Sequence, residues 1–420
     1  MQSATRLLSF FFFLSMNSLA VGSRRTEIIT LPQQSIGVRH TLQVLHYGPD
    51  DPRVQQCYIQ SSLHADELPG LLVTSHLVKL LDSAALRGEV VQRICLVPYA
   101  NPIGLSQNVL GSHVGRFSTA SGINFNRNWV DVGQALGDRL AAALDGEDEL
   151  LRLKKGEPGS EEERHNVQVI RTGLLSELEA LKSVVCEVEM KRQLLCLAGT
   201  SDVVLDLHCD TEAVMHMYTH TRLWPAMRDL AAEIKSQCHL LAATSGGDPF
   251  DETVSNLWAV LQDRFPGYPI PMAAQAVTIE LRGESDVSDE QAMGDAQAIY
   301  RFLQRRGFVK ETALNSNPLP PAPLSRDATD LAAVEMVESP CAGLVVWKAE
   351  LGSMVKAGDI VAEIVVVDDV DAPRVPVVTR QTGIIFGRKR HKLASPGQVI
   401  VKVAGSESLS WRKGFLLTSR

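Results

Sequence analysis

Short apolar runs alternate with amphipathic stretches along most of this chain, and this alternation restricts the fold more than any other feature. Gln56–Gln60 and Arg93–Pro98 have the composition of buried strands, and Gly70–Leu81 between them has the period of a helix. Val203–Leu207 and Ala276–Leu281 are further apolar runs, as expected for inner strands covered on both faces. The pattern predicts an α/β fold, a mixed sheet flanked by helices.

The length of 420 residues and a change of composition after Phe308 predict more than one domain. We expect residues 1–25 to be an N-terminal extension and residues 26–312 to form the α/β domain, with a helical insertion over 134–198. A proline-rich linker over 313–335, a small all-β barrel domain over 336–406 and a tail over 407–420 complete the prediction.

The barrel is predicted from an internal repeat. Gly343 with Gly358, and again Gly383 with Gly397, bracket segments rich in Val and Ile, which suggests two similar β halves. The repeat resembles a biotinyl or lipoyl domain, a family that carries a modified lysine at the hairpin between the halves. Residues 367–371 hold no lysine at that place, so we interpret the domain as structural or as a cap over the substrate channel.

Charge and cysteine content restrict the partners and the compartment. The net charge of −8 leaves no basic surplus, which argues against nucleic acid or an anionic membrane and favours a small-molecule partner; a homo-oligomer is left open. Arg6 precedes an apolar run, Leu7–Leu14, that is too short to anchor the chain in a membrane. It is either a signal peptide of a secreted or periplasmic protein or an upstream artefact of a start at Met16. The seven scattered cysteines favour the cytoplasm.

Three polar motifs follow the predicted strands. His64-x-x-Glu67 comes after the first strand, and His208 and Glu280 end two later apolar runs. Because α/β folds place their sites at the carboxyl ends of the strands, these side chains are expected to converge, and two histidines with a glutamate suit a catalytic zinc ion. Asp206 could orient a ligand. A carboxylate at the end of an apolar strand is either functional or paired, so an ion pair of Glu280 with Arg282 is the alternative.

With Asn126-Arg127-Asn128-Trp129 between them, these motifs resemble the zinc carboxypeptidase superfamily. Within it, the ordered set is similar to the succinylglutamate desuccinylase/aspartoacylase family over roughly residues 26–308. The resemblance implies an α/β sheet with one zinc ion (Zn2+) per chain, held by His64, Glu67 and His208.

The same resemblance implies roles for four other residues. Glu280 is expected to act as the general base that activates water and then protonates the leaving amine. Asn126 and Arg127 are expected to bind the substrate carboxylate, for which the planar guanidinium of arginine is suited. Arg116 is expected to polarise the scissile carbonyl. Arg282, close after Glu280, departs from the family pattern. It is expected to add a cation near the site, and it leaves the substrate specificity open.

Three functions are therefore compared. The leading one is a zinc-dependent amidohydrolase, a deacylase that cleaves a small N-acyl amino acid or related amine. The second is a zinc metallocarboxypeptidase that acts on peptides, and the third is an inactive binding module. Retention of the ligands and the base argues against the third, and the tethered β-domain favours a capped pocket for small substrates.

Overall fold

The computed structural model describes residues 24–146, 149–312, 323–324 and 326–417 of the chain. Residues 1–23 of the predicted N-terminal segment and residues 313–322 and 325 of the proline-rich linker lie outside them. None of the described helices is long and apolar enough to cross a membrane. The helices are α1 (Pro69–Leu86), α2 (Pro102–Leu105), α3 (Gly133–Asp145), α4 (Glu161–Ala180), α5 (Cys186–Ala198), α6 (Trp224–Glu233), α7 (Phe250–Arg264) and α8 (Asp289–Arg305).

Nine strands form one mixed sheet. The strands are β1 (Arg25–Thr30), β2 (Thr41–Tyr47), β3 (Gln56–Ser61), β4 (Arg93–Val97), β7 (Val203–Asp210), β9 (His216–His220), β10 (Cys238–Ala242), β11 (Gln275–Gly283) and β12 (Thr329–Asp330). Their order in the sheet is β1-β2-β4-β3-β7-β11-β9-β10-β12. The centre of the sheet is parallel, because β3 pairs in parallel with both β4 and β7, and β7 pairs in parallel with β11. The α/β prediction, with its mixed sheet and flanking helices, is confirmed.

Helices cover both faces of this sheet. On one face α3, α4, α5 and α7 pack against it, with fully buried residues such as Leu136, Ile170 and Trp258. On the other face α1, α6 and α8 contribute Leu77, Leu230 and others to a second core. The predicted helical insertion is thus part of the first core, because its apolar residues cover the same face of the main sheet as α7.

The chain after the main sheet forms two smaller sheets. They contain β13 (Val334–Glu338), β14 (Gly343–Trp347), β15 (Met354–Val355), β16 (Ile360–Val365), β17 (Val375–Val378), β18 (Gly383–Arg388), β19 (Leu393–Ala394) and β20 (Val399–Gly405). One has the order β13-β20-β18-β15 and the other β17-β16-β14-β19, and they share a core of valine and isoleucine side chains. The lysine-free segment 367–371 lies at an exposed turn between β16 and β17. The biotinyl/lipoyl-like barrel stays a prediction.

The β region contacts the main sheet directly. A short strand β8 (Glu212–Ala213), which follows β7, pairs with β18, and β12 joins the edge of the main sheet beside β10. Two short hairpin strands, β5 (Asn108–Val109) and β6 (Ser112–His113), complete the described set. The predicted domain boundaries stay predictions. Strand β12, which falls inside the predicted linker, nevertheless pairs with the main sheet.

Candidate metal and catalytic site

The loop after β3 places His64 and Glu67. Ser62 has a left-handed backbone with a φ of 57°, which turns the chain sharply at the end of the strand. Asn101 then donates a hydrogen bond to the Leu63 carbonyl at 2.9 Å and holds the loop in place. The Glu67 N–H donates to the His64 carbonyl at 3.2 Å, so the two side chains project from one tight turn just before α1.

His208 and Glu280 lie on neighbouring strands in direct register, because β7 and β11 pair with Glu280 opposite His208. The register then shifts between Glu280 and Gly283. Arg282 sits in this irregularity with a φ of 66° and donates to Asp295 on α8 at 3.2 Å. The alternative ion pair between Glu280 and Arg282 is therefore wrong. The expectation of Arg282 as a cation near the site is also wrong, since its side chain turns toward α8.

The predicted ligands meet at one point. One donor atom each from His64, Glu67 and His208 lies within 4.8 Å of the others, and all three side chains are buried. The Nδ1 atom of His64 is 2.8 Å from Oε1 of Glu67, and Nδ1 of His208 is 2.8 Å from Oε2. The three residues could hold one metal ion.

The far nitrogen of each imidazole has a fixed partner. Nε2 of His208 lies 2.9 Å from Asp206, and Nε2 of His64 lies 2.8 Å from Oδ1 of Asn124. That amide oxygen also accepts the backbone N–H of Asn126 at 2.9 Å, which identifies it as the acceptor. Both rings are therefore held with Nε2 as the donor and Nδ1 turned inward, which is how histidine ligands of metals are commonly oriented. Sequence reasoning found Asp206 but missed Asn124.

The donor set fits a cation. When Nε2 of a neutral His64 donates to Asn124, Nδ1 carries a lone pair that faces an oxygen of Glu67, and two acceptors in contact need positive charge between them. Burial and the charge of Arg116 lower the pKa of His64 to about 4, which keeps the ring neutral. Although burial opposes it, the charges of Asp206 and Glu67 raise the pKa of His208.

Glu280 lies beside this cluster and lines the same pocket. Its Oε2 atom is buried and has no hydrogen-bond partner among the described residues. Burial, and then the negative charge of Glu67, raise the pKa of Glu280 to about 8. A carboxyl group with such a pKa can accept and return a proton near neutral pH.

Arg116 reaches the ligand cluster from the loop that follows β6. Its Nη1 atom is 2.8 Å from Oε1 of Glu67 and 3.2 Å from Nδ1 of His64. A guanidinium at this position indicates that the ligand atoms attract positive charge. The contact places Arg116 at the site, and its predicted action on a substrate carbonyl stays a prediction.

Asn126 and Arg127 line the same pocket. Oδ1 of Asn126 accepts the backbone N–H of Phe250 at 2.8 Å, so its amide group is fixed in direction. The Arg127 guanidinium donates to the Asn126 carbonyl at 2.6 Å and forms no ion pair with a described residue. A guanidinium left without a carboxylate partner in a pocket can bind an anionic group of a ligand.

Several other pocket residues were missed by the sequence analysis. Asp251 and Glu252 come from the first turn of α7, Tyr218 from β9, and Lys402 from β20. The local sequence around Tyr218 and Lys402 reads as ordinary strand. The only signal near Asp251 is Gly246-Gly247-Asp248-Pro249, which marks a loop before a helix without indicating a site.

A second cavity adjoins the first. The two share Arg116, Cys209, Asp210 and Lys402. The Lys402 ammonium forms an ion pair with Asp210, so a side chain of the β region stands at the boundary between the cavities. The β region therefore forms part of the wall of the candidate site.

Comparison with known proteins identifies the fold of this chain. No protein-family model matches the sequence, and no curated protein matches it. Among solved structures, a succinylglutamate desuccinylase/aspartoacylase protein from Shewanella frigidimarina NCIMB 400 has a TM-score of 0.76 at 21% identity and covers 91% of this chain and 97% of its own. A protein of the same family from Shewanella amazonensis SB2B has a TM-score of 0.75 at 22% identity, over 90% and 98%.

A third neighbour is the ectoine utilization protein of Ruegeria pomeroyi in a product-bound structure, with a TM-score of 0.59 at 15% identity over 92% of this chain and 98% of its own. The strong structural neighbours of the chain are thus succinylglutamate desuccinylase/aspartoacylase proteins, as the sequence motifs predicted. At these identities the likeness establishes the fold, and the chemistry has to be argued from the site.

Proposed function

We propose that this protein is a zinc-dependent hydrolase that cleaves the acyl-amide bond of a small N-acyl amino acid. The observation that carries the proposal is the inward orientation of both imidazoles toward Glu67 at 2.8 Å. An oriented pair of Nδ1 atoms with a carboxylate is a ligand set of catalytic zinc that leaves a coordination position open. The fold shared with succinylglutamate desuccinylase/aspartoacylase proteins supports this reading.

His64, Glu67 and His208 would hold one zinc ion per chain. When bound, zinc supplies a Lewis acid that polarises a carbonyl and makes a water molecule more acidic. Glu280 takes a proton from the attacking water and delivers it to the departing nitrogen. The water oxygen adds to the acyl carbon, the carbon–nitrogen bond breaks, and the products are a carboxylate and a free amine. Arg116 neutralises the charge that develops on the carbonyl oxygen.

Asn126 and Arg127 are proposed to position the amine half of the substrate. The Arg127 guanidinium lies in the pocket without an ion-pair partner among the described residues, so it can bind the carboxylate of an amino acid. Holding that carboxylate fixes the amide bond relative to Glu280. Positioning of this kind contributes to rate because the reacting groups are already aligned.

A carboxypeptidase that acts on peptides would use the same chemistry, but the pocket walls favour a small substrate. Leu331, Lys402 and Leu417, all from the chain after the main sheet, line the pocket together with the ligands. We propose that these walls limit the room that a long peptide would need. We propose that the β region, as a biotinyl/lipoyl-like barrel, acts as this cap.

The cysteines support a reducing compartment such as the cytoplasm. All seven are free, and five of them are buried. Buried thiols without disulfide partners are usual in proteins that work where glutathione keeps thiols reduced.

A substrate panel tests the proposed function. The zinc-loaded protein is assayed with Nα-acetyl and Nα-succinyl amino acids and with short unblocked peptides, and release of the amine is measured. Turnover of acyl amino acids above peptides is expected. Preferential trimming of peptides from the carboxyl end would favour the carboxypeptidase instead, and no turnover of either class with zinc bound would reject the hydrolase.

A further inference from the structure

The pocket wall that carries Arg127 is hydrogen-bonded to the loop before α7. The backbone N–H of Asn128 donates to the Gly247 carbonyl at 2.9 Å, and that of Trp129 donates to Asp248 at 3.1 Å. With the bond from Phe250 to Asn126, these contacts tie the Arg127 segment to the first turn of α7. The charge of Arg127 also interacts with Asp251 and Glu252 on that turn, so these carboxylates lie near whatever Arg127 holds.

Asp251 is the notable group on that turn. Its side chain lines the pocket although the residue is only 6% exposed. The backbone N–H of Glu252 favours the charged form of the Asp251 carboxylate, and Arg127 interacts with that charge. No side chain of the described residues donates a hydrogen bond to the carboxylate, and no described cation lies within ion-pair distance of it. The neighbouring Glu252 differs, because both of its oxygens accept the backbone N–H of Ser245, at 2.8 and 3.0 Å.

Stabilisation of the helix does not explain a buried Asp251. An acidic residue in the first turn of a helix interacts favourably with the backbone dipole, but this interaction does not require burial. Burial of a carboxylate that has no ion-pair partner costs free energy. The burial of Asp251 in a ligand pocket is therefore better explained by a cationic group that the ligand supplies.

We propose that the amine half of the substrate is a basic amino acid, whose side-chain cation binds at Asp251 while its α-carboxylate binds Arg127. The proposal rests on the proposed function and specifies its substrate class. Glu252 adds negative charge beside Asp251, and Tyr218 supplies an aromatic wall on which an aliphatic chain or a cation can rest. The substrate would then be an Nα-acyl derivative of an amino acid such as lysine or ornithine.

The test compares two substrates that differ only in the cation. For the zinc-loaded protein, kcat/KM is measured with Nα-acetyl-L-lysine and with Nα-acetyl-L-norleucine, which has the same aliphatic chain without the ammonium group. We expect the lysine substrate to be preferred by ~10-fold or more, since a pocket carboxylate discriminates strongly against a ligand that leaves it unpaired. Equal or better turnover of the norleucine substrate would overturn the inference while leaving the hydrolase intact.

Variants assign the preference to one residue. Asp251→Asn should reduce the lysine-to-norleucine ratio by ~10-fold, and Asp251→Glu should retain part of it because the charge remains. Asp263→Asn is the matched control, because Asp263 lies on the same helix and is paired with Arg222 at the surface. An unchanged ratio in Asp251→Asn would contradict the proposal.

Binding of free amino acids separates this inference from the proposed function. Calorimetric titration of the zinc-loaded protein with L-lysine and L-norleucine measures the site without catalysis. Selective binding of lysine that is lost in Asp251→Asn would support the basic subsite even if no acyl amino acid were hydrolysed. Binding of norleucine as tightly as lysine would contradict it regardless of the activity.

Discussion

Nε2 of His208 lies 2.9 Å from Oδ2 of Asp206, and this contact decides which ring nitrogen faces Glu67. Asp206 is fully buried, and its other oxygen accepts a hydrogen bond from Gln60 at 2.9 Å. The carboxylate is thus held from both sides, and the imidazole cannot turn without breaking the contact. A histidine side chain oriented in this way loses less conformational freedom when it binds a metal ion.

Replacement of Asp206 by Asn should weaken zinc binding by ~10- to 100-fold, the usual effect of removing a group that orients a metal ligand. The amide keeps the size and can still accept from His208, so the fold should persist while the negative charge is lost. Competition with a chromogenic chelator measures the affinity. Asp263→Asn serves as the control, and equal affinities in both variants would show that Asp206 has no part in the metal site.

Replacement of Glu280 by Gln should leave zinc bound while kcat falls by ~10² to 10⁴, because a general acid/base contributes a factor of this size. Metal analysis and turnover are measured on the same sample. Glu284→Gln is a matched control, since Glu284 is paired with Arg390 at 3.1 Å. Loss of zinc from the Glu280 variant would identify Glu280 as a ligand, and unchanged turnover would place the base elsewhere.

Truncation of Arg127 to Ala should act mainly on KM. A carboxylate clamp acts on the bound substrate and on the transition state together, so its loss weakens both. Charge-assisted hydrogen bonds contribute about 1.5 to 3 kcal/mol each, which corresponds to a rise in KM of ~10- to 100-fold. Arg127→Lys should recover part of this. Steady-state kinetics decide the point, and a variant with wild-type KM would exclude Arg127 from substrate binding.

Binding of a basic amino acid should depend on pH through Asp251. Burial, and then the charges of Glu252 and Asp206, raise the pKa of Asp251 to about 7, whereas His208 opposes the rise. A carboxyl with a raised pKa is uncharged below that value, so the affinity for L-lysine should fall as the pH is lowered from about 8 to about 6. Calorimetry with L-norleucine over the same range measures the pH dependence that comes from protein groups contacting both ligands, such as Arg127. Parallel profiles for the two ligands would contradict the assignment.

The parts of the site that lie at strand ends were predictable from the sequence. His64, His208 and Glu280 each follow an apolar run, and parallel strands bring their carboxyl ends to one edge of the sheet. Residue 282 shows the limit of this reasoning. Alternation along a strand would put it on the same face as Glu280, but the irregularity after Glu280 changes the direction of its side chain.

The remaining pocket residues depend on tertiary packing. Asp251 reaches the pocket because the loop before α7 is bonded to the segment around Asn126, two parts of the chain that are far apart in sequence. Lys402 reaches it because β18 pairs with β8 and brings the β region onto the main sheet. No local pattern encodes either contact, so neither residue could be assigned from periodicity or motif spacing.

The most direct test of the account is the metal content of the purified protein, measured by mass spectrometry of the metal alongside turnover. We predict about one zinc ion per chain, loss of activity with a chelator, its return with zinc, and loss of stoichiometric binding in the variant with both His64→Ala and His208→Ala. Stoichiometric zinc that survives the double substitution would contradict the assignment of the site, and activity that survives complete removal of the metal would contradict the proposed chemistry.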